Sequence, residues 1–328
     1  MTRMKVLSSA LVCAAAATVA AQEPAWDAAA LKACDRACLV DGLDRYLSAI
    51  YAHDPKSVPP LAKDVRMTEN TGQMDVGEGL LWRAKVEPTS FRIDVADPVE
   101  GQVAFQGRLK VVAVRLNVDR GRIPEIEHLH AGNIAPQAIE LLTTPRAVLT
   151  EDVPAAQRVS RDVMLGVANS YFDALEGDSG TIGAFANDCV RHENGYRTVN
   201  NPPPGGRMMR GPQLPDSNTE QGKSQLAFSM LTCAQQIDSK IFAYMKHIRP
   251  RRVLILDEQK QTVGTFPLFV HDGTRHGAPA DAPPGMLQNL VTMETFSVRG
   301  GLIRHVEAAP FVTIPYGLGN GWTMNSGR

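Results

Sequence analysis

Two segments of the chain carry the same order of apolar stripe and alternating strand, and the likeness reaches individual residues. Leu39, Leu43, Tyr46, Leu47 and Ile50 fall on one face of a 3.6-residue period, as do Met164, Val167, Tyr171 and Leu175 further on. Each stripe predicts an amphipathic helix. At nearly the same distance after each comes a related block, LAKDVRMTEN at 61–70 and FANDCVRHEN at 185–194. Aligned without gaps, these share Ala62/Ala186, Asp64/Asp188, Glu69/Glu193 and Asn70/Asn194. A second pair follows near the end of each segment: VRLNVDRGRIPEIE at 114–127 and ETFSVRGGLIRHVE at 294–307. Both read as strand, two-residue turn (Arg120-Gly121, Gly300-Gly301), strand.

The pattern predicts an α+β chain of two tandem units, at 34–134 and 159–316, with a proline-bearing linker at 135–158 and a tail at 317–328. In each unit, N-terminal helices are expected to pack on a curved antiparallel sheet. Within the first unit, 76–85 suggests a short helix, and 91–95, 102–109 and 111–118 suggest strands. The second unit is expanded, with a Pro/Gly-rich loop at 200–218 and a longer helix expected at 225–245. A hairpin is expected from 253–257 and 262–270, then a second loop at 276–285.

The N-terminus sets the expected compartment. Arg3 and Lys5 precede an uncharged, Ala-rich run ending in small residues before Gln22, which predicts a secretory signal peptide over 1–21 and a periplasmic or secreted product. No membrane contact is expected after cleavage. Removing that segment leaves four cysteines, Cys34, Cys38, Cys189 and Cys233, an even number suited to disulfides in an oxidising compartment. Their spacing lacks the paired C-x2-C of a zinc site. A formal charge of −1 without a basic run argues against nucleic-acid binding. Assembly into a homo-oligomer stays open.

The helix carrying Asp44-Arg45-Tyr46-Leu47, then Ala52-His53-Asp54-Pro55 and Val65-Arg66-Met67-Thr68-Glu69-Asn70, resembles the opening of nuclear-transport-factor-2-like (polyketide-cyclase-like, or SnoaL-like) proteins. Cys34-Asp35-Arg36-Ala37-Cys38-Leu39 is similar to the start of a secreted subfamily of bacteria and fungi that opens with a Cys-x3-Cys helix. The resemblance implies, for each unit, a cone: a bent sheet wrapping a helix around an apolar pocket. It covers both halves at the level of the fold and transfers no catalytic set residue by residue.

Chemistry is sought where both segments place polar groups among apolar strands. His192, Glu193, Tyr196 and Arg197 follow one another at the end of a predicted strand. Strand neighbours face opposite sides, so His192 and Glu193 cannot share a pocket without a bulge. His305 and Glu307 alternate onto one face, where a carboxylate can hold one imidazole tautomer. These six residues are the expected catalytic set. Glu69, Asn70, Met208, Phe228 and His271 are the expected substrate contacts. The plainer alternative is that Glu69/Asn70 and Glu193/Asn194 cap a strand-to-loop turn. Glu125, Glu127, His128 and His130 invite a metal reading, but one short segment rarely supplies three converging ligands, so no metal is expected. Phosphate-loop, nucleophile-elbow and dinucleotide patterns are absent from the sequence, and no cofactor is expected. The chemistry left to these side chains is proton transfer on a small apolar or aromatic molecule: isomerisation, dehydration or retro-aldol cleavage by an exported lyase or isomerase, with the second unit as the working copy. The rival is an exported protein that binds a ligand or partner without catalysis.

Overall fold

The computed structural model describes residues 34–108, 112–132, 134, 136–201, 219–274, 285 and 287–323. The expected signal peptide, Met208 and most of the two long loops lie outside them. Asp35 caps the first helix, α1 (Arg36–Ala52), by accepting from the Cys38 amide, and the helix ends at His53 in the left-handed region. Its buried stripe of Leu39, Leu43, Tyr46, Leu47 and Ile50 packs with Met67, Phe105, Leu116 and Ile126 from the strands that follow. Those strands are β1 (Leu61–Glu69) and β2 (Gly72–Met74), then, after a four-residue helix α2 (Leu80–Arg83), β3 (Arg92–Asp97), β4 (Gln102–Gly107), β5 (Val112–Asp119) and β6 (Arg122–His130).

Two short helices, α3 (Pro136–Leu141) and α4 (Ala147–Thr150), lead to α5 (Arg161–Glu176), which Ser160 caps. Next come β7 (Phe185–Glu193), β8 (Tyr196–Arg197), α6 (Glu220–Met230) and α7 (Cys233–Asp238). The strands β9 (His247–Ile248), β10 (Val253–Asp257), β11 (Thr262–Thr265), β12 (Leu268–Asp272), β13 (Leu287–Arg299) and β14 (Leu302–Pro315) complete the chain.

The chain is α+β with two sheets, and the sheets are mixed where antiparallel ones were expected. Their orders are β2-β1-β6-β5-β4-β3 and β10-β11-β13-β14-β7-β8, with β12 and β9 attached beside β13. β1 runs parallel to β6, and β7 parallel to β14. In each sheet the first strand is followed by a crossing to the far edge, and a meander brings the last strand back alongside it. No hairpin joins the two, so nothing imposes the antiparallel sense.

Register matches from sheet to sheet. Thr68 pairs with Glu127 and Glu69 with His128, as His192 pairs with Glu307 and Glu193 with Ala308. Asn117 pairs with Glu125 as Ser297 pairs with His305, and Asp97 with Gln102 as Asp257 with Thr262. Both β5–β6 and β13–β14 turn through two residues of positive φ, Arg120-Gly121 and Gly300-Gly301, the backbone a two-residue hairpin needs. Thr68 therefore corresponds to His192, Glu125 to His305, Glu127 to Glu307, Arg115 to Thr295 and Val114 to Glu294.

Two expectations need correction. The helix expected over 225–245 is broken into α6 and α7. Thr232 starts α7 with a reciprocal capping box with Gln235, and Cys233 at its head is bonded to Cys189 on β7. The second disulfide joins Cys34 to Cys38. The expected linker is instead part of a core: Leu142 and Leu149 are buried with Val95 and Ala104 of one sheet and Ile255 and Met293 of the other. The sheets thus pack against each other through the faces turned away from α1 and α5.

A reciprocal pair of ionic clamps crosses this seam. Arg161 at the start of α5 reaches Asp97 with both terminal nitrogens at 2.9 and 2.8 Å, and Asp97 also accepts from the Leu256 amide. Arg36 at the start of α1 reaches Asp257 at 2.8 Å, and Asp257 accepts from the Ala96 amide. Among the described residues, no helix is long and apolar enough to cross a membrane.

Candidate functional site

Alternation along β7 divides the predicted residues between two surfaces. His192 faces the seam between the sheets, whereas Arg191 and Glu193 face α5. The parallel β7–β14 pairing brings His192 beside His305, with their rings stacked at 4.9 Å and 13°. Nδ1 of His192 lies 3.2 Å from Nε2 of His305, which lies 3.4 Å from Oε2 of Glu307. Glu307 is fully buried, and its Oε1 has no hydrogen-bond partner among the described residues. Burial, then the charges of Arg146, His305 and Arg197, push the His192 imidazole down to about 2, so it is neutral near neutral pH. Three of the six expected catalytic residues therefore meet, and their ligand atoms all lie within 4.8 Å of one another. The expectation of no metal here encounters a two-histidine, one-carboxylate group able to hold one.

Tyr196 does not join them, contrary to expectation. It pairs with Glu193 across the β7–β8 turn, and paired residues point to the same side, so it faces α5. Arg197 does pair with His192, and its guanidinium bonds the carbonyls of Val199 and Asn200.

The α5 side of the same sheet holds a cluster that the sequence reading missed. Glu294 on β13 is fully buried; the Tyr171 hydroxyl donates to its Oε1 at 3.5 Å, and its Oε2 has no hydrogen-bond partner among the described residues. Arg191 bonds Glu193 and stands 3.9 Å from Glu294. Burial, reinforced by Glu193 and opposed by Arg191, lifts the Glu294 carboxyl to about 7. Burial also raises the Tyr171 phenol, which stays protonated. Phe242 lies under the Arg191 guanidinium, and Phe172 and Phe296 pack edge-on against Tyr171. The available signal was Glu294 itself, a carboxylate on the strand face shared with Phe296 and Val298.

In the first unit, Glu69 and Asn70 belong to a separate cluster on the α1 side. Glu69 accepts from the Leu80 amide at 2.6 Å and lies 3.6 Å from His128 and 3.3 Å from His130. The Tyr46 hydroxyl is 2.9 Å from Nε2 of His128. Burial works against the Glu69 charge, but the bonds from His128, His130 and Leu80 outweigh it and hold the carboxyl well below its ordinary range. Burial keeps His128 neutral. Asn70 and Asn194 both take positive φ at the turn, and Asn70 bonds the backbone of His130 on both sides. The recurring asparagine thus serves the turn, while the glutamate does more than cap it.

The remaining expected contacts are scattered. His271 packs edge-on against Tyr244 on the β9–β12 side, and Phe228 lies on α6. At the first-unit counterpart of the His192 cluster, Arg115 is buried between Glu125 and Glu127, and Arg252 from the second sheet grips Glu127 through two bonds of 2.8 Å. Two surface clefts, of about 620 and 440 Å3, are lined by other residues.

Residues 157–310 match the family described as a domain of unknown function, DUF8021. This segment contains both second-unit clusters and spans just under half of the chain. No curated protein and no solved structure matches the chain.

Proposed function

We propose that the chain is an exported, cofactor-independent lyase or isomerase that moves a proton on a small apolar or aromatic molecule, working inside its second unit. The carrying observation is the fully buried Glu294, with Tyr171 bonded to one carboxylate oxygen and the other oxygen unpartnered among the described residues. A carboxyl lifted to about 7 is split between acid and base near neutral pH, as proton transfer requires. Glu294 takes a proton from carbon, and Tyr171 and Arg191 steady the developing oxyanion. Phe172, Phe242 and Phe296 supply apolar surroundings suited to an aromatic substrate. This moves the proposed base from His192 and His305 to Glu294. We read each unit as a nuclear-transport-factor-2-like cone; the repeated strand order and register support that reading, under which the Glu69 and Glu294 clusters fall between helix and sheet. Export agrees with the two disulfides.

The test incubates the protein in D2O with a panel of small aromatic ketones and follows deuterium entry beside the carbonyl by NMR. Wild type should exchange at least one ketone above the buffer rate, and Glu294→Gln should slow this by roughly 100- to 10,000-fold. Ketones that bind without exchange would favour the non-catalytic ligand-binding protein.

A further inference from the structure

We propose that His192, His305 and Glu307 form a binding site for a divalent transition-metal ion in the seam between the two sheets. It lies on the opposite face of β7 from Arg191 and is independent of the proton-transfer reading. The three ligand atoms are Nδ1 of His192, Nε2 of His305 and Oε2 of Glu307, with successive separations of 3.2 and 3.4 Å. Ligands about 2.0–2.2 Å from a tetrahedral ion stand roughly 3.3–3.6 Å apart, so the spacing already approximates two edges of such a site. Two imidazoles and a carboxylate are a donor set suited to zinc or ferrous iron, with a position left for water. Each ion–nitrogen bond prefers the imidazole plane, so the stacked rings must turn about χ2 to receive the ion.

An independent observation points to a missing cation. Glu127 and Glu307 occupy equivalent register positions, and both are buried. Glu127 is neutralised by Arg115 at 2.9 Å and by Arg252 at 2.8 Å. At the position of Arg115 the second unit has Thr295, and the position of Arg252, counted past the bulge in β10, corresponds to the apolar Ile93. Among the described residues, the one arginine left near Glu307 is Arg146, whose Nε is 3.7 Å away, beyond hydrogen-bond reach and itself without a hydrogen-bond partner there. The other Arg146 nitrogens are bound to the carbonyls of Thr144 and Gly195. A buried carboxylate with one unpartnered oxygen is costly unless a cation meets it, and two imidazole rings offer nitrogen donors where the first unit has Thr68 and Glu125. The Arg146 side chain is 24% exposed, which lets it move aside.

The experiment strips the purified full chain with a chelator and titrates Zn2+ by calorimetry, then Co2+ by visible absorption. Wild type should saturate at one ion per chain, with Co2+ bands of a low-symmetry nitrogen–oxygen site. Glu307→Gln should weaken binding by roughly 100-fold or more, and His192→Ala, nearer the edge of the seam, provides a second reading should the buried variant misfold. Arg146→Gln, which removes a competing charge, should tighten binding. His130→Ala in the first unit should leave it unchanged. Failure to bind either ion, binding that survives both Glu307→Gln and His192→Ala, weaker binding in Arg146→Gln, or loss in His130→Ala would each overturn the proposal.

Discussion

Replacing Glu294 by glutamine keeps its shape and removes its titration, so comparison with wild type isolates the energetic effect of this carboxyl. The folded protein lifts it from 4.5 to about 7, chiefly by burial. A gap of about 2.5 pH units, at about 1.4 kcal/mol each, corresponds to about 3 kcal/mol. The sign follows from proton uptake. The folded state binds this proton more tightly than the unfolded chain, so the contribution is full below pH 4.5. It is lost as pH rises from 4.5 towards 7 and stays lost above. His128 and His192, held neutral, and Glu69 and Glu127, held ionised, titrate with other slopes, but they are common to both proteins and largely cancel. Urea unfolding at pH 4 and at pH 8 is the assay. Glu294→Gln should gain about 3 kcal/mol relative to wild type between the two pH values, whatever its offset at pH 4. A relative gain below about 1 kcal/mol would mean that Glu294 is ionised in the fold, and the proposed base would lose its basis.

Other tests address the framework. Asp97→Ala removes the partner of Arg161 and of the Leu256 amide, and should lower stability by about 3 kcal/mol in urea unfolding; a loss under about 1 kcal/mol would show the seam clamp to be incidental. Replacing Cys189 and Cys233 by serine opens a loop with a sequence separation of 44 residues and should cost about 4 kcal/mol, whereas opening Cys34–Cys38, separation 4, should cost distinctly less. Equal losses from the two disulfides, read from urea midpoints, would contradict that ordering.

The two long helices, the end hairpins and the equivalence of 61–70 with 185–194 were legible because each is local: a 3.6-residue stripe, a turn, a shared string. The sense of the β1–β6 and β7–β14 pairs was not, since it depends on where a long excursion returns. That pairing decides the site. Alternation alone placed His305 with Glu307, but only the parallel register across 113 residues adds His192. Tyr196 was misplaced although its face could be read, because the Asn194-Gly195 turn sets it opposite Glu193. Glu294 was overlooked because Thr292, Glu294 and Phe296 read as a mixed face until α5 is laid over them. The helix break at Thr232 is tertiary in part, since Cys233 is fixed to β7.

The two second-unit clusters share one sheet but differ in what their charges require. On the α5 side, Glu193 and Glu294 share Arg191, so three charges leave one carboxylate unmatched, and burial resolves this by favouring a proton on Glu294. In the seam, Glu307 stands beside two imidazoles, one of them driven neutral, with Arg146 beyond bonding distance. A proton satisfies the first arrangement and a metal ion the second. The first unit shows the outcome without either demand: at the positions of Glu294 and Arg191 it has Val114 and Met67, and at Glu127 it has two arginines. Substitution of a few side chains on a common register thus accounts for the loss of neutralising arginines in one unit, and the chemistry proposed for that unit is of the kind that needs carboxylates left partly unmatched.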